Sequence, residues 1–458
     1  MRILMVSHGY PPTVSGVTLV AQKVARAMVR KGHTVMVVTA SEHGRPYRSE
    51  DEGVQLVRVR ATPNPFWKEG PIPHVSQKEL ERIASEFRPD ILHTHEAAFL
   101  ALQLLRLGRN AGLPAIATCH YVPRFVTHYL SLVGGPPSLV EAIAWAYSIW
   151  FFNQFDRAVF DSLAHRSLFS QRGLQVPTAI ISCGLDTEHY HPLAGPDKAA
   201  EKRYHLPPKP RLLFTSRLAR DKRIDILIRA MPHICAQQEA HLLLVGRGDD
   251  RPRLETLIRE LGMERFVHFL GFVPEEDVPA IYRASDLFVI ASTCEVLSIP
   301  TLQALSTGLP VVAADALALP ELVYNGINGF LVPPNDPKSL AKAVLRILGD
   351  PDLATRMGQA SLTITEPHAE AHTFDLYEDL YWRTVEDWRA GLLPARPLVP
   401  ALRGTGPVVL SSRTVLPPFL RPAVLDPWPR VAELWGPPLR DGAVNFVALI
   451  PPLNPESR

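Results

Sequence analysis

Cysteine is scarce in this sequence, and its placement excludes more than it suggests. The four cysteines of the 458 residues, Cys119, Cys183, Cys235 and Cys294, are isolated from one another. No Cys-x-x-Cys and no Cys/His ligand spacing occurs, so neither a zinc site nor a disulfide framework is expected. Small buried residues in a reducing cytoplasm are the expectation instead. Long apolar runs are also missing. The longest uncharged aromatic segment, from Ala142 to Phe155, is shorter than the ~20 residues a helix needs to span a bilayer. The opening MRILMVSHGYPP has an apolar run of four residues, which suits a buried strand and is too short for a signal peptide. No transmembrane helix is expected. Charge of one sign is lacking as well: the net charge is +2, made of +4 over residues 1–200, −5 over 201–390 and +3 over the remainder. A mildly basic first half suits an anionic surface or substrate, and it is far from the footprint of a nucleic-acid binder.

What is present is alternation. Short apolar runs at Ile3–Ser7, Thr34–Thr39, Val54–Arg60, Ile91–Thr94, Ala115–Cys119, Ala158–Phe160 and Ile180–Cys183 read as strands. Amphipathic helices at Val17–Lys31, Ser76–Phe87 and Ala98–Asn110 separate them. Buried strands alternating with helices predict a parallel sheet covered on both faces. A polar, proline-bearing stretch from Asp186 to Pro210 then reads as a linker. Alternation restarts with strands Arg211–Thr215, His241–Val245, Val267–Leu270 and Leu287–Ile290, between helices Ile224–Ile234, Arg251–Leu261 and Val278–Ala284. The fold class is therefore α/β: two Rossmann-like halves across a cleft, with ligands at the carboxyl ends of the strands. The expected domains are 1–190, 191–370, a closing amphipathic helix at 371–390, and a tail at 391–458. That tail holds 14 of the 44 prolines. Such density is too high for regular helix or central strand, so an irregular or disordered segment is expected.

The stretch from Ser292 to Gly329 carries the most chemistry. A strand runs into a turn bearing Glu295, and a helix starts near Pro300, where proline suits a first helical position. Free N–H groups at that start, around Leu297, Ser298 and Ile299, form an anion site beside a carboxylate. A strand at Pro310–Ala314 follows, and Pro320-Glu321 opens another helix. Such a cassette suits a ligand carrying both phosphate and hydroxyl groups. Elsewhere, Arg217 and Lys222 sit at a strand's carboxyl end, on loops expected to be exposed; a solvated basic turn is the alternative. Gly16, in the first loop, would let the backbone approach a phosphate, or serve a tight turn. That loop lacks G-x-G-x-x-G spacing, and the second strand ends in Thr39-Ala-Ser41 with no acidic residue for a ribose, so a nicotinamide cofactor is disfavoured.

The segment from Ser292 to Gly329 resembles the signature of retaining, nucleotide-sugar-dependent glycosyltransferases of the GT-B fold, in the group 1 and family 4 type. The resemblance covers roughly residues 1–390. It implies transfer of a sugar from a UDP- or GDP-sugar donor to an acceptor hydroxyl, with no divalent metal and no further cofactor. It assigns Arg217 and Lys222 to the diphosphate, Glu295 to the transferred sugar, and His120 to the sugar across the cleft. Gly16, Gly246, Gly248, His268, Leu297, Ser298, Ile299 and Gln303 are implied around the donor. His8 is a further candidate at a strand end. Two departures stand out. The family's second glutamate, eight positions after the first, is Gln303 here, which keeps hydrogen-bonding capacity and loses charge. Cys183-Gly184-Leu-Asp186 stands where the family carries Asn-Gly-x-Asp. Two other readings remain open on sequence: a donor-binding protein with weak or no catalysis, and a nucleotide-sugar epimerase. A phosphorylase is disfavoured, since no pyridoxal-lysine context is evident.

The aromatic run from Phe125 to Phe155, with Tyr129, Trp145, Tyr147, Trp150, Phe151 and Phe152, reads either as a core helix or as an interfacial one. On the second reading the enzyme is cytoplasmic, touches the anionic inner membrane face and uses a lipid or lipid-linked acceptor.

Overall fold

The computed structural model describes residues 1–13, 15–64, 70–123, 137–193 and 198–393. Phe125 and Tyr129 of the aromatic run, and the proline-rich segment from residue 394 onward, lie outside the described residues.

The first half builds one mainly parallel sheet. Its strands are β1 (Arg2–Val6), β2 (Thr34–Ala40), β3 (Tyr47–Asp51), β4 (Val54–Thr62), β5 (Ile72–His74), β6 (Ile91–Thr94), β7 (Ala115–Cys119), β8 (Arg157–Phe160) and β9 (Thr178–Ile180). They lie in the order β3-β4-β2-β1-β6-β7-β8-β9, with β5 also on β4. β3 and β5 pair with β4 antiparallel; the other pairings are parallel. Helices α1 (Gly16–Arg30), α2 (Gln77–Phe87), α3 (Phe99–Ala111), α4 (Pro137–Phe152) and α5 (Leu163–Ser170) connect these strands. The central strands read as unbroken apolar runs because helices cover both faces: Ile3, Leu4, Ile91, Leu92, Ile116 and Val159 are all fully buried.

The second half starts with α6 (Lys198–Arg203) and builds a six-stranded, wholly parallel sheet. Its strands β10 (Arg211–Thr215), β11 (His241–Val245), β12 (Val267–Gly271), β13 (Leu287–Ile290), β14 (Val311–Ala314) and β15 (Gly329–Val332) are ordered β12-β11-β10-β13-β14-β15. Helices α7 (Ile224–Cys235), α8 (Arg251–Glu260), α9 (Val278–Arg283), α10 (Ile299–Ser306), α11 (Pro337–Leu348) and α12 (Pro351–Thr365) surround it. Both sheets reverse direction beside their first strand, between β1 and β6 and between β10 and β13. Crevices open at such reversals, and ligands of doubly wound sheets bind there.

The chain then returns to the first half. Leu185 N–H donates to His368 O (2.8 Å) and Glu370 N–H to Leu185 O (2.9 Å). Helix α13 (Glu370–Arg389) lies against the first sheet, with Tyr381 OH 2.7 Å from His93 Nδ1 and Glu378 accepting from Lys31 Nζ at 2.8 Å. Its amphipathic spacing thus buries Phe374, Tyr377, Leu380, Tyr381 and Val385. Among the described residues, no helix is long and apolar enough to cross a membrane.

Candidate active site

The loop after β10 is shaped by two glycines from the loop after β11. A Cβ on Gly246, which has φ +127°, would stand 2.0 Å from Ser216 O, and one on Gly248 would stand 2.2 Å from Leu218 O. Only glycine permits that approach. The two loops are then bonded, Ser216 N–H to Val245 O (3.1 Å) and Leu218 N–H to Arg247 O (2.9 Å). Gly246 and Gly248 therefore act as packing glycines that set Arg217 in place; Arg217 itself is exposed at the strand's carboxyl end.

Lys222 differs from the exposed loop residue that the sequence suggested. It ends a single 3-10 turn, Arg220–Lys222, and its side chain is only 16 % exposed. Its Nζ donates to Glu295 Oε1 at 2.8 Å, and Glu295 is 10 % exposed. Burial alone would lower the Lys222 pKa, but the adjacent Glu295 carboxylate outweighs it and holds the ammonium above its ordinary value. The loops after β10 and β13, the two sides of the reversal, thus meet through an ion pair. Ser292 Oγ donates to Asp221 O (3.4 Å) and Ala318 N–H to Glu295 O (3.2 Å), fixing the same loop from both sides.

Beyond Glu295, Leu297 and Ser298 are buried and Ile299 is half-buried at the start of α10. Ser298 caps this helix, its Oγ accepting from Thr301 N–H at 3.3 Å. Gln303 sits one turn in, with Tyr282 OH 3.0 Å from its Oε1 and Tyr282 buried completely. An amide makes this contact without burying a net charge, which gives a physical reason for glutamine at this place.

The first half contributes three strand ends. His120 follows β7, and its Nδ1 lies 3.1 Å from Asp161 Oδ1, just past β8. Its Nε2 lies 3.2 Å from His95 Nδ1, and the two rings stack with an interplanar angle of 1°. Burial drives His93 down to about 3 and His165 to about 4, so these two rings are held neutral. Gly16 opens α1, and a Cβ there would meet nothing within 4 Å, so the backbone faces open space. His8 lies nearby in sequence, held by Glu96, which accepts from His8 N–H at 2.9 Å.

Beside these strand ends, hydrogen bonds join the two halves. Ser162 Oγ donates to Val296 O at 2.6 Å. The Glu321 carboxylate accepts from Leu163 N–H (2.9 Å) and Ala164 N–H (2.6 Å), the free donors at the start of α5. Burial raises the Glu321 pKa despite those two bonds. Ser162 adjoins Asp161, and Val296 adjoins Glu295, so this hydrogen bond joins the backbone neighbours of the two pairs, His120–Asp161 and Lys222–Glu295.

His268 stands apart from this group. It is the second residue of β12, with Nε2 3.1 Å from His241 Nδ1 at the start of β11. That end is about 10 Å from the carboxyl edge at ~3.3 Å per residue. The structure gives His268 a partner inside the sheet, away from Arg217 and Glu295. Sequence reading also missed Asp161, Ser162 and Glu321. The first two directly follow a strand, a legible signal; Glu321's partners lie more than 150 residues away and leave no local trace.

Comparison with known proteins agrees with this architecture. The sequence profile of the family described as Glycosyltransferase Family 4 matches residues 14–189, and that of Glycosyl transferases group 1 matches residues 197–363. An uncharacterised glycosyltransferase of Methanocaldococcus jannaschii is 28 % identical over 361 residues, 76 % of this chain and 90 % of that protein. Alpha-monoglucosyldiacylglycerol synthase of Streptococcus pneumoniae is 25 % identical over 362 residues, 77 % of this chain and 80 % of that one. The crystal structure of Anabaena HepE in complex with UDP-glucose superposes with a TM-score of 0.66 at 21 % identity, covering 84 % of this chain and all of the other. The two profiles fall one on each half and together span most of the chain, which therefore belongs to the group 1 and family 4 glycosyltransferases of the GT-B fold, enzymes of the hexosyltransferase class.

Proposed function

We propose that the enzyme transfers a hexosyl group from a nucleotide-sugar donor to an acceptor hydroxyl with retention at the anomeric carbon. The observation that carries this reading is the Lys222–Glu295 pair at the second sheet's reversal, with the Ser162–Val296 bond joining its loop to the one that carries Asp161, the partner of His120. A donor diphosphate takes up Arg217, Lys222 and the N–H groups at the start of α10, and the sugar lies towards Glu295 and His120. Diphosphate binding exchanges the Lys222–Glu295 bond for a Lys222–phosphate one. Glu295 is then released to accept from sugar hydroxyls. With the leaving group's charge met by two cations and a helix start, this chemistry requires no divalent metal. The acceptor attacks the face the phosphate leaves, and the departing phosphate oxygen takes the acceptor's proton. Positioning and charge stabilisation supply the rate enhancement. A donor panel with separated acceptor pools, read by nucleotide release and labelled product, tests the reading. Nucleotide binding without product on any acceptor would favour a non-catalytic donor binder, and donor conversion without acceptor an epimerase.

The acceptor we propose is a lipid or lipid-linked sugar, on the strength of α4. Its exposed residues Leu139, Ile143, Tyr147 and Trp150 recur every three to four positions and form one apolar stripe. The opposite side is core: Phe151 and Phe152 are fully buried, and Ser148 Oγ lies 2.9 Å from Tyr121 OH. The helix thus has a core side, and its exposed apolar side supports the interfacial role as well. An apolar stripe on a mildly basic half suits the anionic inner face of a membrane. The pneumococcal relative's name places its own product among diacylglycerol glycosides, which supports the choice. Co-sedimentation with anionic vesicles checks it: Ile143→Ser/Trp150→Ser should lower bound protein several-fold with the melting temperature unchanged. Full activity on a soluble sugar, with no vesicle binding at low salt, would leave a soluble-acceptor transferase.

A further inference from the structure

The carboxyl ends of β7, β8 and β9, three neighbouring parallel strands, bring together three donors of different chemistry. His120 Nδ1 is 3.1 Å from Asp161 Oδ1, and Cys183 Sγ is 3.4 Å from the same oxygen. All three donor atoms fall within 4.8 Å of one another, and Asp161 and Cys183 are buried. Ligands on one tetrahedral ion with bonds of about 2.0–2.3 Å stand about 3.3–3.7 Å apart, so the two separations through Asp161 need little adjustment. Spacing could not reveal this set, because the residues are separated by tens of positions and meet only through strand order.

A second observation concerns His165, fully buried beside the cluster. Its Nε2 lies 2.9 Å from Tyr121 O, a carbonyl that can only accept, so Nε2 carries the proton of the neutral ring. Nδ1 then carries a lone pair 4.0 Å from Asp161 Oδ2, and it has no hydrogen-bond partner among the described residues. Two buried acceptors facing each other are unfavourable unless a positive centre lies by them.

We propose that His120 Nδ1, the Asp161 carboxylate and Cys183 Sγ form a binding site for one zinc-like divalent ion, with the fourth position open to water or to His165. The mixed nitrogen, oxygen and sulfur set selects a borderline transition metal over magnesium or calcium. Binding breaks the Cys183 S–H bond and forms a metal–thiolate bond, and the proton leaves to solvent. His120 turns its Nδ1 lone pair to the ion, so its proton moves to Nε2, beside His95. The ion therefore ties three strand ends together and fixes the tautomer of the histidine nearest the cleft.

The full chain, freed of metal by chelator and then dialysed, is titrated with Co²⁺ as the optical probe and with Zn²⁺ in competition. The wild type should bind one Co²⁺ per chain with a thiolate-to-metal charge-transfer band and tetrahedral d–d absorption, both displaced by Zn²⁺. The charge-transfer band should vanish in Cys183→Ser, and Zn²⁺ affinity should fall at least ~10-fold in Asp161→Asn. Cys235→Ser should leave both unchanged. A wild-type spectrum without a thiolate band overturns the proposal whatever the variants do. So does a band that survives in Cys183→Ser.

Discussion

At the scale of single residues, Lys222 and Arg217 separate where the sequence made them alike. Arg217 is exposed, whereas Lys222 is largely enclosed and bonded to Glu295. Either substitution to alanine should lower turnover by about 10²–10³, the scale of losing one preorganised donor. Only Lys222→Ala should also lower stability, by roughly 1.5–3 kcal/mol, since it strips Glu295 of a charge-assisted bond. Steady-state kinetics beside a thermal melt would show the split. Equal melting temperatures in both variants would place the Lys222–Glu295 bond outside the folding balance. The pH sign follows from the raised Lys222 pKa: its contribution is complete below the unfolded lysine value and is lost as pH rises through the higher folded one.

Among the secondary elements, the loop after β11 makes a sharper prediction than any helix. Gly246→Ala would set a methyl 2.0 Å from Ser216 O. It should cost more than the ~1–3 kcal/mol of ordinary backbone strain and move Arg217, lowering activity and melting temperature together. A stable, active Gly246→Ala would contradict the packing role. The return of the chain through His368 to α13 gives an acid limb. Burial depresses His93 to about 3 and His368 to about 4, both below the ordinary 6.5. Stability from these neutral rings is present above pH 6.5 and is lost as pH falls from there towards the folded values. For His368 the loss is on the order of 3 kcal/mol, so His368→Gln should flatten that limb in melts run from pH 7 to 4. Much of this level was legible: Ala115–Cys119, Arg211–Thr215, His241–Val245 and Leu287–Ile290 appear with the bounds their apolar runs give. Tyr47–Asp51 was not, because an edge strand reading YRSED is largely exposed and has no apolar alternation. Helices Pro337–Leu348 and Pro351–Thr365 each open on Asp-Pro, a start signal that went unused.

The whole molecule explains why the site was only half legible. Each side of the cleft is a strand-end loop: position in the alternating pattern puts Arg217, Glu295 and His120 at strand ends, and the family resemblance supplies the roles proposed for them. What joins the sides is long-range: Ser162 to Val296, and Glu321 to the start of α5. Such pairings depend on how two sheets face each other, which no local period encodes. The relation between Gln303 and Tyr282 is likewise not local, whereas the start of the apolar run at Val267 already puts His268 far from its strand's carboxyl end. The central claim is a division of labour, with Arg217 and Lys222 on the diphosphate and Glu295 on the sugar. Calorimetric titration of a nucleoside diphosphate, with no sugar attached, into Arg217→Ala and Glu295→Gln tests it most directly. Arg217→Ala should weaken binding about tenfold, or ~1.4 kcal/mol. Glu295→Gln should leave affinity unchanged or tighter, because Lys222 is released from its partner, while transfer from the full donor is impaired. Weaker diphosphate binding in Glu295→Gln, with Arg217→Ala binding as the wild type does, would contradict the account.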